Sequence, residues 1–336
     1  MLRFVVRRLL QMAGVLFALS LLLFIWLRSL PGGTVSAILG ERATPSRRAA
    51  LEAALGLDQP IYVQYWRFIS RAAQGEFGAS TAVMPGEDAF QVFLSRLPAT
   101  IELSIFAMLI AIFLAIPLGY FAARRRGSFL DSTAVIFSLI GVAVPVFFTA
   151  FLLKYFFAVQ WQVLPVSGRQ DVSLDATRVT GLFVLDGLLT REWDAAWDAF
   201  LHMLLPALAL ATIPFAIIFR ITRASVLDTL DADFVRTAES KGLTAKVIRG
   251  RHVLRNAMLP VVTVVGLSVG GLLAGATLTE TVFSFQGLGQ ALYVSFQQKD
   301  YAVLQVLILA ASAIFVIVNL LVDILYAVID PRIRTR

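Results

Sequence analysis

RTAESKGLTAKVIRGRHVLRNAMLP, residues 236–260, decides how this chain is read. The stretch is polar and basic: Arg236, Lys241, Lys246, Arg249, Arg251 and Arg255 stand against one acid, Glu239. On either side lie strongly apolar segments, residues 203–219 and 257–278. A cationic segment between two membrane helices stays on the cytoplasmic side, because Lys and Arg resist translocation. Its local order goes beyond what a tether needs. Ala238 and Gly242 are four residues apart, a small-residue pair that lets another surface come close. Gly242 stands where a first short helix would end, and Thr244 is placed to cap a second helix over 244–255.

Composition agrees with this membrane reading. Of the 336 residues 58% are hydrophobic and 15% charged, with a mean hydropathy of +0.80, the profile of an all-α polytopic membrane protein. The formal charge of +7 is explained by positive-inside loops without invoking nucleic acid. The chain has no Cys and only two His, His202 and His252, so disulfide, thiol and zinc chemistry are not expected.

Working outward, six spans emerge. The first covers residues 1–28: Arg3, Arg7 and Arg8 precede an apolar run about twice the length of a signal-peptide core, and no A-x-A site follows. Residues 29–98 form an external (periplasmic) region with two helical patterns, at 46–54 and 61–73. The second span is 101–121, ending at Arg124-Arg125-Arg126, and the third is 133–157, broken by Pro145. Trp193 and Trp197 suggest an interfacial helix before a fourth span at 203–219. The fifth, 257–278, carries two GxxxG-type pairs, Gly266/Gly270 and Gly271/Gly275. These read as helix-packing faces or as the lining of a pathway. Residues 279–301 are too polar to cross and fit an external or re-entrant segment. The sixth span, 302–328, leads to a cytoplasmic tail at 331–336. With the N-terminus inside, the inner segments hold 17 of the 29 Lys and Arg residues, the outer ones 11, and Lys154 falls in a span. Both termini are therefore expected in the cytoplasm.

The motifs then carry a resemblance. R-T-A-x-x-K-G followed by L-R-N-A-x-L-P resembles the EAA loop of ABC-importer permeases of the dipeptide, oligopeptide and nickel family. LGLDQPIYVQYW (55–66), GEFGAS (75–80), LTETVFSFQGLG (278–289) and DPRIR (330–334) resemble other parts of the same family. Glu76-Phe77 departs from the usual Asp-Leu. The likeness covers nearly the whole chain and is closest to the first permease subunit of dipeptide importers. It implies a type I importer core over 99–330 with a coupling loop at 234–256. In that loop Arg236, Thr237, Ala238, Lys241, Gly242 and Arg255 would meet an ATPase. Also implied are a second homologous permease, two ATP-binding subunits that hold ATP and Mg, an external solute-binding protein and a bacterial inner-membrane location. The external region is then either a cap on the bundle or a platform for the delivering protein. Di- or tripeptides lead as substrates, ahead of longer peptides, haem, nickel and glutathione; no residue stands out as a substrate ligand.

Nothing in the sequence suits it to catalysis or cofactor binding: it has no G-x-x-x-x-G-K-[ST] to cradle phosphate, no G-x-S-x-G and no H-E-x-x-H. Four ionisable residues fall in or near spans. Glu102, Lys154 and Glu280 lie close to an interface, where snorkelling or a local pair suffices. Asp323 is placed to pair with Arg220 or Arg223. The competing class is a self-contained secondary transporter or channel for a small polar solute, which would show mid-membrane acids or inverted repeats.

Overall fold

The computed structural model describes residues 2–29, 35, 39, 44–54, 56–174 and 176–329. Its helices are α1 (Leu2–Ser29), α2 (Pro45–Ala54), α3 (Ile61–Ala73), α4 (Ala89–Arg124), α5 (Phe129–Ala143), α6 (Val146–Leu153), α7 (Phe183–Leu189), α8 (Trp193–Leu230), α9 (Asp233–Ser240), α10 (Ala245–Val247), α11 (Arg255–Val282), α12 (Leu288–Gln297) and α13 (Tyr301–Ile329). Two wide π-helical turns complete the set: Lys154–Gln160 continues α6, and Ile248–Leu254 joins α10 to α11. Among the described residues five helical stretches, within α1, α4, α8, α10 to α11 and α13, are long and apolar enough to cross a membrane. The expected third span is a bent pair instead. Val144 is extended ahead of Pro145, the conformation the proline ring favours in its predecessor, and the helices on either side meet at 106°. Counted together, they make a sixth crossing.

Two boundaries differ from expectation. Trp193 and Trp197 do not sit on a separate interfacial helix; they are the first turns of α8, which runs unbroken for 38 residues through Pro206 and Pro214. The second helix of the basic stretch does not stop at Arg255 but passes through the π turn into the fifth span. At about 1.5 Å per residue, α4 with 36 residues and α8 with 38 are about 54 and 57 Å long. Both outrun the roughly 30 Å hydrocarbon core.

The chain forms two compact units. The larger, Ala99–Phe285, is organised on α8, whose buried residues include Met203, Leu205, Pro206, Ala207, Leu210 and Phe219. On α4 a ridge recurs every fourth residue: Ala99, Leu103, Ala107, Ala111, Ala115, Gly119 and Ala123 are all buried. In lipid, where apolar surface gains little by leaving the solvent, such ridges bring backbones close enough for dispersion to hold helices together. Gly119 is the tightest point. A Cβ there would stand 2.9 Å from the Phe219 carbonyl oxygen and 2.9 Å from the Thr222 Cβ.

The other unit comprises Met1–Pro98 and Gln286–Arg336. Leu23 and Leu27 of α1 pack on Tyr301 and Leu304 of α13, while Ala89, Val92 and Phe93 pack on Leu288, Ala291, Val303 and Leu307. Asp300, fully buried, ties this unit together. Its Oδ2 accepts the Ser80 hydroxyl at 2.6 Å and the N–H groups of Thr81, Ala82 and Val83 at 3.0, 2.9 and 3.2 Å.

Candidate coupling site and buried charges

The basic stretch folds as two short elements around a left-handed glycine. Asp233 stands in the first turn of α9, where a carboxylate suits the positive end of the helix dipole. The other end is a Schellman closure: Gly242 has φ +73°, its N–H donates to the Glu239 carbonyl (2.9 Å), and Leu243 N–H donates to that of Ala238 (3.3 Å). Thr244 takes the N-cap backbone position of α10, but its side chain makes no capping hydrogen bond.

One face of α9 is spent on the protein itself. Val235 and Ala238, three apart, pack with Ala123, Val226, Ile248, Val253 and Ala257. Ala238 is only 5% exposed, so the expectation that it forms the outward contact beside Gly242 is corrected. Its small side chain serves close packing within the chain. The outward face carries Phe234, Thr237 and Lys241, at helical spacing of three and four. Thr237 satisfies its hydroxyl on the Asp233 carbonyl at 2.9 Å, and Arg236 lies 3.9 Å from the Asp233 carboxylate, both side chains exposed. Lys241, Lys246, Arg249, Arg251 and Arg255 are exposed, and among the described residues none has an ion-pair partner. No heavy atom lies within 4 Å of where a Gly242 Cβ would stand. Sequence reasoning missed the apolar part of this surface: Phe234 is 45% exposed and Leu243 41%. Their signal was present, because Phe234 sits out of phase with the Val235/Ala238 pair.

The glycines of α11 face different ways. Gly270 is buried and Gly266 half-buried. Gly271 is exposed, with nothing within 4 Å of a Cβ position. The side-chain surroundings of Gly275 fall outside the described residues.

The charges near the spans are each engaged by a partner within the chain. Glu102 accepts Arg169 Nη2 at 2.9 Å and the N–H groups of Phe183 and Val184 at 3.1 and 2.9 Å. Arg169 also donates to the Gly181 carbonyl (2.8 Å) and stacks its guanidinium 3.6 Å from the centroid of the Phe183 ring. Burial pulls the Arg169 guanidinium below its ordinary value, and the Glu102 carboxylate opposes that pull. Glu280, fully buried, accepts the Thr100 hydroxyl at 2.6 Å. Lys154 donates to the Val282 carbonyl at 2.7 Å. Arg223 forms a two-pronged pair with Asp131, Nε and Nη2 at 2.6 and 2.8 Å, and Arg220 Nε turns back to the Ala216 carbonyl. Arg223 is thus engaged by Asp131; the expected pairing of Asp323 with Arg220 or Arg223 falls on a side chain outside the described residues. Asp186, with no exposed surface, caps the loop before α7. It accepts the Thr180 hydroxyl and N–H (2.6 and 2.8 Å) and the Gly181 N–H (2.9 Å). Burial would raise the Asp186 carboxyl, but these donors together outweigh it and hold the group below its usual range.

Comparison with known proteins gives this geometry a context. Residues 115–335 match the family described as binding-protein-dependent transport system inner membrane component, and residues 1–104 match the N-terminal region described for the same membrane components. The dipeptide transport system permease protein DppB of Escherichia coli is 43% identical over 338 residues, covering 99% of each chain. That of Alkalihalophilus pseudofirmus is 40% identical over 99% of this chain and 100% of its own. The di/tripeptide permease protein DppB of Pseudomonas aeruginosa is 42% identical over 99% of both. A match through two thirds of the chain, joined to relatives alike from end to end, settles the family: this chain belongs to the inner membrane components of binding-protein-dependent transport systems.

Proposed function

We propose that this chain is the transmembrane permease subunit of an ATP-driven importer of dipeptides or short peptides, and that it forms half of the translocation pathway. The observation that carries the reading is the exposed surface of α9 and the turn after it. Family membership makes the chain one component of an assembly, and this surface has the make-up of a docking site: Phe234 and Leu243 as apolar anchors, Gly242 as a flat point of approach, and unpaired cations around them. The dipeptide assignment rests on relatives named for dipeptide transport.

The composition of the assembly is part of the proposal. It comprises a second homologous permease, two cytoplasmic ATPases that hold ATP and Mg, and an external solute-binding protein. Closure of the ATPases on nucleotide would move α9, and α9 cannot move alone. Val235 and Ala238 tie it to Val226 near the end of α8 and to Ala257 in the first turn of α11. A displacement at α9 is thus delivered to the cytoplasmic ends of two spans, biasing a two-state equilibrium between inward- and outward-open forms. Residues 29–98 lie on the external side in this arrangement, with both termini in the cytoplasm. Gly271 offers a close-packing edge for the second permease or for the pathway wall.

Two measurements test the reading together. Affinity purification of the tagged chain from its native membrane should recover a second permease and ATPases carrying phosphate-cradling loops. Proteoliposomes of that complex with its binding protein should accumulate labelled dipeptide only when ATP is supplied on the α9 side. Recovery of a lone chain, or uptake driven by an ion gradient without ATP, would reject it.

A further inference from the structure

The unit formed by residues 1–98 and 286–336 holds a cavity of about 590 Å³ that the transport reading does not use. Its lining is strongly cationic: Arg28, Arg67, Arg71 and Lys299 against the single carboxylate of Glu76. Arg28 is engaged, its Nε on the Gln64 side-chain oxygen at 2.7 Å. Arg67, Arg71 and Lys299 have no ion-pair partner among the described residues. Four cations lining one cavity with one counter-charge suit a dianionic or polyanionic group, and phosphate oxygens suit arginine forks.

The cavity is built, not incidental. Lys299 has φ +59°, in the left-handed position that closes α12, where Gly or Asn is usual. A lysine held there against its backbone preference points to a use for the charge. Next to it, the buried Asp300 carboxylate locks residues 80–83. Thr81 of that loop forms part of the cavity wall.

Its position identifies the source of the anion. Arg28 ends the first span and Tyr301 begins the last, so the cavity opens where two membrane helices reach the surface. Helix α3 supplies another wall through Gln64, Arg67, Phe68 and Arg71. It lies against the outer turns of α1: Tyr65 meets Phe17 and Phe24 edge-on and shares a hydrogen bond with the Ser20 hydroxyl at 2.8 Å. Ser20 is eight residues short of Arg28, about 12 Å down a span axis, so α3 dips into the acyl region. It exposes Ile61, Tyr62 and Trp66, the last by 72%, the aromatic make-up of an interfacial helix. We infer that this cavity binds the phosphate headgroup of an anionic phospholipid, clamped by Arg67, Arg71 and Lys299 with its acyl chains lying along Trp66 and Tyr62.

The test uses the full chain in its purified complex, stripped of lipid and offered equal amounts of phosphatidylglycerol and phosphatidylcholine under native mass spectrometry. Each surface cation contributes about fivefold in anionic-lipid affinity, so R67Q/R71Q should lose about 25-fold in phosphatidylglycerol retention with phosphatidylcholine unchanged. A second reading needs no change to the cations. Brominated phosphatidylglycerol should quench the fluorescence of the wild-type complex more than that of W66F, and brominated phosphatidylcholine should not. Equal retention of the two lipids overturns the assignment, as does lipid retention unaffected in R67Q/R71Q. Displacement of the bound lipid by millimolar inorganic phosphate, without Trp66 quenching, would also overturn it by making the ligand a soluble anion.

Discussion

Gly242 separates two costs that usually arrive together, and substitutions there can measure which one transport feels. Its φ of +73° means that a residue with a Cβ is forced into the left-handed region, at about 1–2 kcal/mol for Ala or Arg and less for Asn, which enters it more readily. Yet nothing within 4 Å opposes the new atoms, and the cluster of Val235, Ala238, Ile248 and Val253 behind the turn is untouched. The chain should therefore reach the membrane in wild-type amounts with Ala, Asn or Arg at 242. A docked ATPase sees the series differently, because it meets the added volume. Uptake of labelled dipeptide in cells, normalised to membrane-inserted protein by immunoblot, is expected to fall with side-chain size: Ala retains most, Asn less, Arg none. If Ala and Arg are equally impaired and Asn is spared, backbone strain is the cause and Gly242 only closes the turn. Wild-type uptake by G242R would refute the coupling assignment outright.

Three further outcomes follow from the packing. G119A places a methyl 2.9 Å from the Phe219 carbonyl oxygen, and overpacking of this kind costs about 1–3 kcal/mol; the melting temperature of the purified complex should fall, and G119L should fail to accumulate. E102Q leaves the Arg169 guanidinium buried without its counter-charge, a loss of about 3–5 kcal/mol. The double variant E102M/R169M should be closer to wild type than E102Q in the same melt. D186N keeps the shape of the loop cap but sets an amide against the donors of Thr180 and Gly181, at about 1–3 kcal/mol at neutral pH. Because the folded Asp186 carboxyl lies below its usual value, its contribution is present above the ordinary range near 4 and is lost as pH falls through the folded value. The gap in melting temperature between wild type and D186N should hold from pH 7 to 5 and close in stronger acid.

Much of this architecture is legible in one sequence because lipid is an undemanding solvent to read. A run of about twenty apolar residues means a crossing, but proline alone does not say where a span breaks: the chain bends at Pro145 yet α8 continues through Pro206 and Pro214. Where the helices stop is less legible. Trp193 to Phe200 and Ile221 to Leu230 are polar enough to look like loops, yet both belong to α8, since a helix leaving the bilayer can keep going in water. The four-residue ridge from Ala99 to Ala123 stands plainly in the letters, though it is less conspicuous than the glycines of the fifth span. The pairs Glu102 with Arg169 and Asp131 with Arg223 are 67 and 92 residues apart. No periodicity reports such distances. Ala238 was misplaced for another reason: a motif names residues that matter and is silent on which way they face, whereas its spacing from Val235 shows the inward side.

That distinction extends to the charges as a whole. A buried ion is tolerated only when it is paired or well hydrogen-bonded. Glu102, Asp131, Asp186 and Asp300 all meet this condition, each with two or more donors at 2.6–3.2 Å. Groups so engaged hold helix ends and loops in place as hydrogen-bond acceptors to fixed donors. This weighs against a carboxylate-driven secondary transporter even though the spans contain acids. The cations at Lys241, Lys246, Arg249, Arg251 and Arg255, and those at Arg67, Arg71 and Lys299, break the pattern. They are exposed, gathered beside apolar side chains, and unanswered among the described residues. Charge that a chain leaves unanswered where it has apolar anchors alongside is charge kept for something outside the chain. By that criterion α9 suits a protein partner and the α3 cavity suits a lipid headgroup.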